Sequence, residues 1–367
     1  MYSMARARDM HPFVRRHSSR RRFLAGTSAA LLAMPAVFSP SRAQGKRIVV
    51  RDDGGIYNRA YNAVLYRPFT QATGIEAVGV QANAEPTAQI KSMVDTKSYT
   101  WDMAKISWPA IALLTTGNVY LEKHGLEADP VVSKVPQQYM SPYGVGTNIY
   151  TTVLAYRADA FKGRRAPRSW ADLWNVTDVP GRRGMRKHPF DTIEQALMAD
   201  GVSTSTVYPC NLDRAFSALD RIKSDVAVWW TSGAQLEQIL TSGEVDMLPT
   251  WVSRAQAAQA ARAPVEVVWD QGIWGCDSWS ILAGTPNADA CREFIKFASD
   301  PQRMAALTEF FPAGLTIPEA FNYVTPEIAS NCPSYPDNIN NGLKIDAKYW
   351  LDNQAAVLER FNAWILK

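Results

Sequence analysis

The chain has 367 residues, of which 47% are hydrophobic and 20% charged, and its formal net charge is +4. This composition is typical of a folded globular protein, and the length predicts about two domains. The four cysteines include no CxxC pair, which argues against a zinc ribbon or a thioredoxin-type redox site.

The N-terminal segment predicts export. Arginines at 20–22 precede Phe23-Leu24, an apolar run that ends at Phe38, and small residues at 41–43. This order is typical of a twin-arginine signal peptide that spans residues 1–43 and is removed on export. An N-terminal membrane anchor is the alternative, but the apolar run is shorter than the ~20 residues that span a bilayer. We therefore expect the mature protein in the periplasm.

Removal of this segment changes the charge of the chain. The first 43 residues contain eight arginines and one acid, so 31 basic and 34 acidic residues remain and the net charge becomes −3. A basic chain would suggest binding to nucleic acid or to a membrane surface. The mature chain is mildly acidic and has no later apolar run of membrane-spanning length. We therefore expect a soluble protein without a nucleic-acid partner.

Strands and helices alternate in the first part of the mature chain. Short apolar runs predict strands, and apolar residues three or four positions apart predict helices. The predicted strands are 47–50, 75–80 and 101–106, and the predicted helices are 57–70, 86–94 and 109–114. This alternation predicts a parallel α/β sheet. Beyond this region, His124 is predicted to lie at an exposed helix end.

A long extended stretch at 144–156, rich in β-branched and aromatic residues, interrupts this pattern. It is long for one strand, as expected for a strand that passes from one lobe to another. A second extended run is predicted at 278–283. The remaining elements are a helix capped by Ser169, helices at 192–199, 212–222, 234–242, 252–261, 287–298, 301–308 and 348–366, and strands at 226–230, 245–248 and 265–269. We predict two lobes joined by two extended crossings.

The sequence contains no recognisable catalytic or metal-binding motif. HExxH, GxSxG and Walker patterns are absent, and only His124 and His188 remain after removal of the signal. Residues 52–55 lack the further carboxylates of a calcium loop and predict a tight turn. Cys291 and Cys332 are one candidate disulfide pair, with four buried thiols as the alternative. We expect no metal, no cofactor and no enzyme activity, with a secreted enzyme as the alternative.

Six segments, taken in order, resemble the solute-binding proteins of bacterial ABC importers, in particular the spermidine/putrescine-binding type. They are TGI, YTWDMAKIS, SWADLW, SGEVDMLPTW, GIWGCDSWSI and YWLDNQAAVLERFNAWI. The resemblance covers nearly all of residues 46–367. It implies an α/β fold of the type II periplasmic-binding-protein class, in which two lobes, each a mixed sheet flanked by helices, are joined by a two-stranded hinge. The implied boundaries are 44–148 for the first lobe, 149–276 for the second, and 277–367 for the rest of the first lobe with the C-terminal helices.

The resemblance places Asp277 at a carboxylate position that binds a ligand ammonium. A carboxylate there can make a charge-assisted hydrogen bond to an amine, although a cap or turn residue is the alternative. Trp251 matches an aromatic residue that packs on the methylenes or the ammonium of the ligand, with a core tryptophan as the alternative. The sequence departs from the family at Gly275, where a tryptophan is usual, and Trp274 stands beside it. Trp251 and Trp274 are therefore expected to form aromatic walls.

The resemblance also places two loops of the first lobe at the cleft. Ser107 and Trp108 match a loop that lines the cleft, with a capped helix start as the alternative. Asp53 and Tyr57 fall near an aromatic pair on the first loop, although the aromatic pattern is not kept. Gly55 would allow the backbone to approach a ligand closely. We expect all five residues at the ligand.

The second lobe contains acids and arginines where polyamine binders have acids. Asp191 fits one acidic position, whereas His188 stands where another acid is expected. Arg183 and Arg186 are close by and are either solvated surface residues or, for one of them, a bidentate partner of a carboxylate.

This mixed chemistry leaves the ligand open between two classes. A small amine such as putrescine or spermidine is the main expectation, and an amino acid, an ω-amino acid or an organic carboxylate is the alternative. The expected partners are this small molecule and an inner-membrane ABC permease that recognises the closed form, and the receptor itself is expected to be a monomer.

Overall fold

The computed structural model of the protein describes residues 46–81 and 86–367. The predicted signal peptide at 1–43 lies outside the described residues. Within the described ranges, no helix combines the length and the apolar content needed to cross a membrane.

The strands of the described residues form one mixed sheet. They are β1 (Arg47–Asp52), β2 (Glu76–Gln81), β3 (Met103–Ser107), β4 (Leu121–Glu122), β5 (Met140–Ser141), β6 (Gly144–Arg157), β7 (Arg183–Arg186), β8 (Val226–Trp230), β9 (Met247–Trp251), β10 (Val265–Leu282) and β11 (Leu343–Lys344). The main path runs β2-β1-β3-β10-β6-β9-β7-β8. β1 is parallel to β2 and β3, β7 is parallel to β8 and β9, and β10 is antiparallel to β3 and β6.

Helices flank this sheet. They are α1 (Gly55–Tyr61), α2 (Arg67–Thr73), α3 (Thr87–Thr96), α4 (Trp108–Thr115), α5 (Trp170–Trp174), α6 (Pro189–Ala199), α7 (Leu212–Ile222), α8 (Gly233–Ser242), α9 (Val252–Ala260), α10 (Ala288–Ala298), α11 (Pro301–Ala306), α12 (Pro326–Ala329), α13 (Pro336–Ile339) and α14 (Ala347–Ile365). A π-helical turn, Asn62–Tyr66, joins α1 to α2. Short 3₁₀ turns lie at Val132–Lys134, Gln137–Tyr139, Thr204–Thr206, Lys223–Asp225, Leu307–Glu309 and Pro318–Tyr323.

Local signals in the sequence set several helix ends. The Ser169 hydroxyl accepts a hydrogen bond from the Asp172 amide and caps α5 as predicted. Gly74 and Gly243 end α2 and α8 in the left-handed conformation, with φ of 73° and 71°. These caps explain why the predicted start of α5 and the predicted ends of α2 and α8 agree closely with the structure.

Two strands pass from one hydrophobic core to the other. In β6, Val145 packs in the core of the first lobe and Leu154 in that of the second. In β10, Trp279 packs in the first core and Ile273 in the second. The two predicted crossings are therefore present, and the fold is the expected two-lobed α/β fold. The predicted strand at 265–269 and the run at 278–283 are one continuous strand, because β10 pairs with β6 along most of its length.

The C-terminal helix contacts both lobes, since it packs beside α4 of the first lobe and its buried side chains lie in the core of the second. Trp350, Val357, Phe361 and Trp364 of α14 lie in the same core as the helices of the second lobe. The boundaries predicted from the sequence assign 277–367 to the first lobe. Helical periodicity shows that these residues form one buried stripe, but it does not show which surface covers the stripe.

The expected exposure of His124 is wrong, whereas the alternative of four buried thiols is confirmed. His124 is only 2% exposed, because its Nε2–H donates to the Ser141 carbonyl and its Nδ1 accepts from the Leu126 amide. The four cysteines are free and buried, so the candidate pair Cys291–Cys332 is not formed. Strand β7, which contains Arg186, was not predicted, because its four residues include two arginines and a glycine.

We predict that Gly314→Ala destabilises the hinge region. The Gly314 carbonyl accepts from the Ile149 amide of β6, and a β-carbon at Gly314 would lie 1.9 Å from the Ile149 carbonyl oxygen. Because backbone must move, we expect a loss of about 2 kcal/mol in the free energy of unfolding, measured by urea titration. Gly181→Ala is the control, since its β-carbon would meet side-chain atoms of Met247 and Asp246 at 3.2 Å or more. Equal losses in the two variants would contradict the prediction.

Candidate functional site

Asp53 and Asp277 meet at a buried lysine of the first lobe. The Lys105 ammonium donates to Asp53 Oδ2 and to Asp277 Oδ2, and the Lys105 side chain is only 1% exposed. Lys105 lies on β3, between β1, which leads into Asp53, and β10, which carries Asp277. Arg51 Nη1 lies 3.3 Å from Asp53 Oδ1. We call these four residues the ion cluster; its two cations balance its two acids.

The charges of the ion cluster stabilise one another. Burial alone would lower the pKa of Lys105, but the two neighbouring carboxylates outweigh burial and hold this pKa well above its usual value. Burial also acts to raise the pKa of Asp53, yet Lys105 and Arg51 together lower it. At Asp277 burial dominates and raises the pKa. Asp277 is therefore paired with a cation of its own chain, Lys105.

The first turn of α1 covers the ion cluster, whereas the family resemblance places Tyr57 on a loop. The Tyr57 ring lies 5.1 Å from the Lys105 ammonium and contacts Phe311 edge-on at 4.7 Å. The predicted turn is present, because the Gly54 amide donates to Asp52 and Gly54 has a φ of 68°. Gly55 has a φ of 57°, and no atom lies within 4 Å of the position where its β-carbon would be. The start of α1 thus leaves room beside Gly55 and places Tyr57 over the lysine.

A second group of candidate residues lies on four adjacent strands of the second lobe, at the ends of β7, β8 and β9 and within β6. Arg186 on β7 pairs with Trp230 on β8, and Thr152 on β6 pairs with Trp251 on β9. The Arg186 guanidinium lies 5.2 Å from the Trp251 ring centre and 5.7 Å from that of Trp230. Its Nη1 is 3.2 Å from Asp191 Oδ2, which also accepts from the Thr152 hydroxyl at 2.9 Å. We call these five residues the arginine group.

Asp191 adopts a backbone conformation that is rare for its residue type. Its φ of 67° lies in the left-handed region. Asp191 therefore interrupts α6 between Pro189-Phe190 and the regular part of the helix. Strain of this kind persists only where surrounding contacts fix it, and it often marks a functional site. Burial raises the pKa of Asp191, against the opposing effect of Arg186. The Asp191 carboxylate therefore already forms an ion pair within the protein, with Arg186.

His188 and Arg183 have structural roles. Burial and the nearby Arg186 lower the pKa of His188 to about 4, so the imidazole is neutral at pH 7. Its Nδ1 accepts from the Phe190 amide at the start of α6, and its ring stacks on Phe190. The Arg183 side chain is 2% exposed and donates to the carbonyls of Leu173, Asn175, Val179 and Gly181. A solvated surface position for Arg183 is therefore wrong.

Trp108 and Trp274 form a third group, separate from Asp277. Their rings contact each other edge-on at 6.2 Å, and Trp108 stacks on Tyr139. The Lys344 ammonium lies 4.8 Å from the Trp108 ring centre and 5.7 Å from that of Trp274. Trp274 precedes Asp277 by three residues in β10, so the two side chains point to opposite faces of the strand. Ser107 caps α4 through the Ala110 amide, which is the structural role that the sequence analysis kept as an alternative.

A small cavity lies between the two lobes. It has a volume of about 10 Å³, and Tyr57 and Trp251 both line it. This volume holds about one water molecule and is too small for an organic ligand. Tyr57 also packs on Lys105, and Trp251 also packs on Arg186, so each of these rings lies between the cavity and a cation. Within residues 46–81 and 86–367, no three His, Cys, Asp or Glu side chains are placed to bind a metal ion.

The chain is similar to known solute-binding proteins. Residues 65–331 match the family model described as bacterial extracellular solute-binding protein. The chain is 33% identical to the gamma-aminobutyric acid-binding protein of Pseudomonas aeruginosa, over 90% of this chain and 94% of that protein. It is 24% identical to the spermidine/putrescine-binding periplasmic protein of Salmonella typhimurium, over 74% of this chain and 79% of that protein.

Solved structures agree with this result. An ABC transporter substrate-binding protein from Bradyrhizobium japonicum USDA 110 has 34% identity and a TM-score of 0.82, over 87% of this chain and 99% of that chain. The Atu4243-GABA receptor has 31% identity and a TM-score of 0.78, over 87% of this chain and 98% of that chain. Both structures share the two-lobed fold of periplasmic binding proteins. The chain belongs to the family of bacterial extracellular solute-binding proteins of the ABC-transporter type.

Proposed function

We propose that this protein is a periplasmic receptor for an ω-amino acid of the gamma-aminobutyrate class. It delivers this ligand to an inner-membrane ABC permease, and it acts as a monomer without enzyme activity. The observation that carries the proposal is the position of Arg186, a partly exposed guanidinium packed beside two tryptophan rings that contact each other, one of which, Trp251, lines the cavity. A guanidinium binds a carboxylate with two parallel hydrogen bonds, whereas it repels an amine.

The charges of the site favour a ligand without net charge. Arg51, Lys105 and Arg186 balance three acids, which are Asp53, Asp277 and Asp191. A zwitterion leaves this balance unchanged, while a diamine adds two positive charges that no unpaired acid of these two groups offsets. The ligand carboxylate then binds Arg186, and its ammonium lies against the exposed edges of Asp53 and Asp277, whose side chains are 32% and 16% exposed.

The main expectation from the sequence, a polyamine, receives less support. The gamma-aminobutyric acid-binding relative has the higher identity and coverage, and the spermidine/putrescine-binding relative is more distant. A diamine also needs an acid at each end of the site, whereas the second end presents Arg186, whose neighbouring acid Asp191 is already paired with it. Trp251 keeps its predicted role as an aromatic wall in this proposal, packed against the methylenes of the ligand.

We predict that Arg186→Gln weakens binding of 4-aminobutanoate about 10- to 100-fold, the loss expected when a charge-assisted hydrogen bond is removed. The measurement is isothermal titration of the mature chain with ω-amino acids, putrescine, spermidine and dicarboxylates. The matched control is Arg165→Gln, because Arg165 is exposed and its ion pair with Asp172 lies outside both groups. Binding of putrescine but not of 4-aminobutanoate by the wild-type chain would refute the proposal.

A further inference from the structure

We propose that Lys105 is a built-in ammonium that occupies the acid pair Asp53–Asp277 and thereby excludes a second cationic group from the cleft. Lys105 would thus be a specificity-determining residue of the receptor. The inference deepens the proposed function, because it explains on charge grounds why the cleft accepts a ligand with one ammonium.

The geometry of the ion cluster supports this role. The Lys105 ammonium contacts one oxygen of each acid, and the Tyr57 ring covers it at 5.1 Å. Two carboxylates and an aromatic face are the groups that recognise an organic ammonium. Asp53 follows β1 and Asp277 lies on β10, and these two strands flank β3. Lys105 on β3 therefore occupies a cation-binding position that its two neighbouring strands form.

The accessibility of the acids makes this position a ligand site as well as a structural one. The Lys105 side chain is 1% exposed, whereas the Asp53 side chain is 32% exposed and the Asp277 side chain 16% exposed. A small cation that enters the open cleft could therefore reach both acids if the lysine were shortened. With Lys105 removed, Arg51 is the remaining cation of the ion cluster, and the cluster has a net charge of −1.

The test is chemical rescue of Lys105→Ala with propylammonium, which replaces the three methylenes and the ammonium that this substitution removes. We expect the midpoint of thermal unfolding of the full mature chain to rise with propylammonium in a saturable manner, as ligand linkage requires. The affinity of Lys105→Ala for propylammonium should exceed that of the wild-type chain by about tenfold or more. Propanol serves as the uncharged probe and should give no saturable effect.

The double variant Lys105→Ala/Asp277→Asn is the matched control, because it restores charge balance with Arg51 and Asp53. We expect it to fold without amine and to respond to propylammonium no more than the wild-type chain. If Lys105→Ala stays unfolded at every amine concentration while the double variant folds, the acid pair is closed to outside cations and the inference is wrong. An equal amine response of the single and double variants would overturn it too.

Titration of the wild-type chain with 4-aminobutanoate separates this inference from the proposed function. Amine rescue of Lys105→Ala without wild-type binding of 4-aminobutanoate would support the role of Lys105 and reject the ω-amino acid. Wild-type binding of 4-aminobutanoate without amine rescue would support the ω-amino acid and reject the role of Lys105. The two experiments can therefore fail independently.

Discussion

Trp350→Ala is expected to lower the free energy of unfolding by about 4 kcal/mol, the range observed when a buried tryptophan is truncated. Trp350 is fully buried, lies 4.1 Å from the Phe190 ring and donates its indole N–H to Glu194 at 2.7 Å. The substitution leaves a cavity where α14 meets α6 and removes a hydrogen bond from a buried carboxylate. Urea titration measures the loss.

Hydrogen exchange will show which lobe depends on α14. If the C-terminal helix stabilises the second lobe, Trp350→Ala should increase the exchange of α6 and α7 amides more than that of α2 and α3 amides. Trp350→Phe is the matched control, because it keeps an aromatic ring and removes only the N–H donor and part of the volume. A larger effect in the first lobe would contradict the packing described above.

Glu194→Gln is expected to stabilise the protein at pH 8 by about 3 kcal/mol and to have little effect near pH 4.5. Glu194 is fully buried, and burial, with a contribution from Asp191, raises its pKa to about 7. Its Oε1 accepts from Tyr208 and Trp350, while Oε2 has no hydrogen-bond partner among the described residues. Glutamine imitates the protonated acid, which is the form that the folded state favours.

The sign of this effect follows from proton linkage. The folded state holds the Glu194 proton up to about pH 7, whereas the unfolded chain loses it near pH 4.5. Stability from this group is therefore highest below pH 4.5 and decreases as the pH rises to about 7. Unfolding free energies at pH 5 and pH 8 measure the change. Glu359→Gln, at an exposed position of α14, is the control. Identical pH slopes for wild type and Glu194→Gln would disprove the assignment.

The ion cluster shows why the site was harder to predict than the fold. Lys105 stands within the apolar run of β3, so the pattern indicates a buried strand but gives no partner for the charge. Its acids lie 52 and 172 residues away. They meet because β3 lies between β1 and β10 in the sheet, an order that a single sequence does not specify. A lysine inside a buried strand is nevertheless a signal that an acid must be near.

Asp277 and Trp274 illustrate a second limit of the sequence. The resemblance to polyamine binders assigns both residues to one ligand, yet they point to opposite faces of β10, and each already has a lysine neighbour. Matching motifs locates positions along a strand, but the partner of each side chain depends on neighbouring strands. The alternative ligand, an ω-amino acid, came from Arg186, whose charge did not fit a polyamine site.

The sequence by itself determined the class of the fold, the two crossing strands and most helices, because hydrophobic periodicity and capping residues act over a few positions. It also indicated the family and a cleft that mixes acids with arginine. Only the tertiary structure decided that Lys105 pairs with Asp53 and Asp277, that Arg186 packs beside two tryptophans that contact each other, and that the buried side of α14 lies in the core of the second lobe. These arrangements depend on the order of strands and on contacts between distant segments, and electrostatic pairing acts through space rather than along the chain.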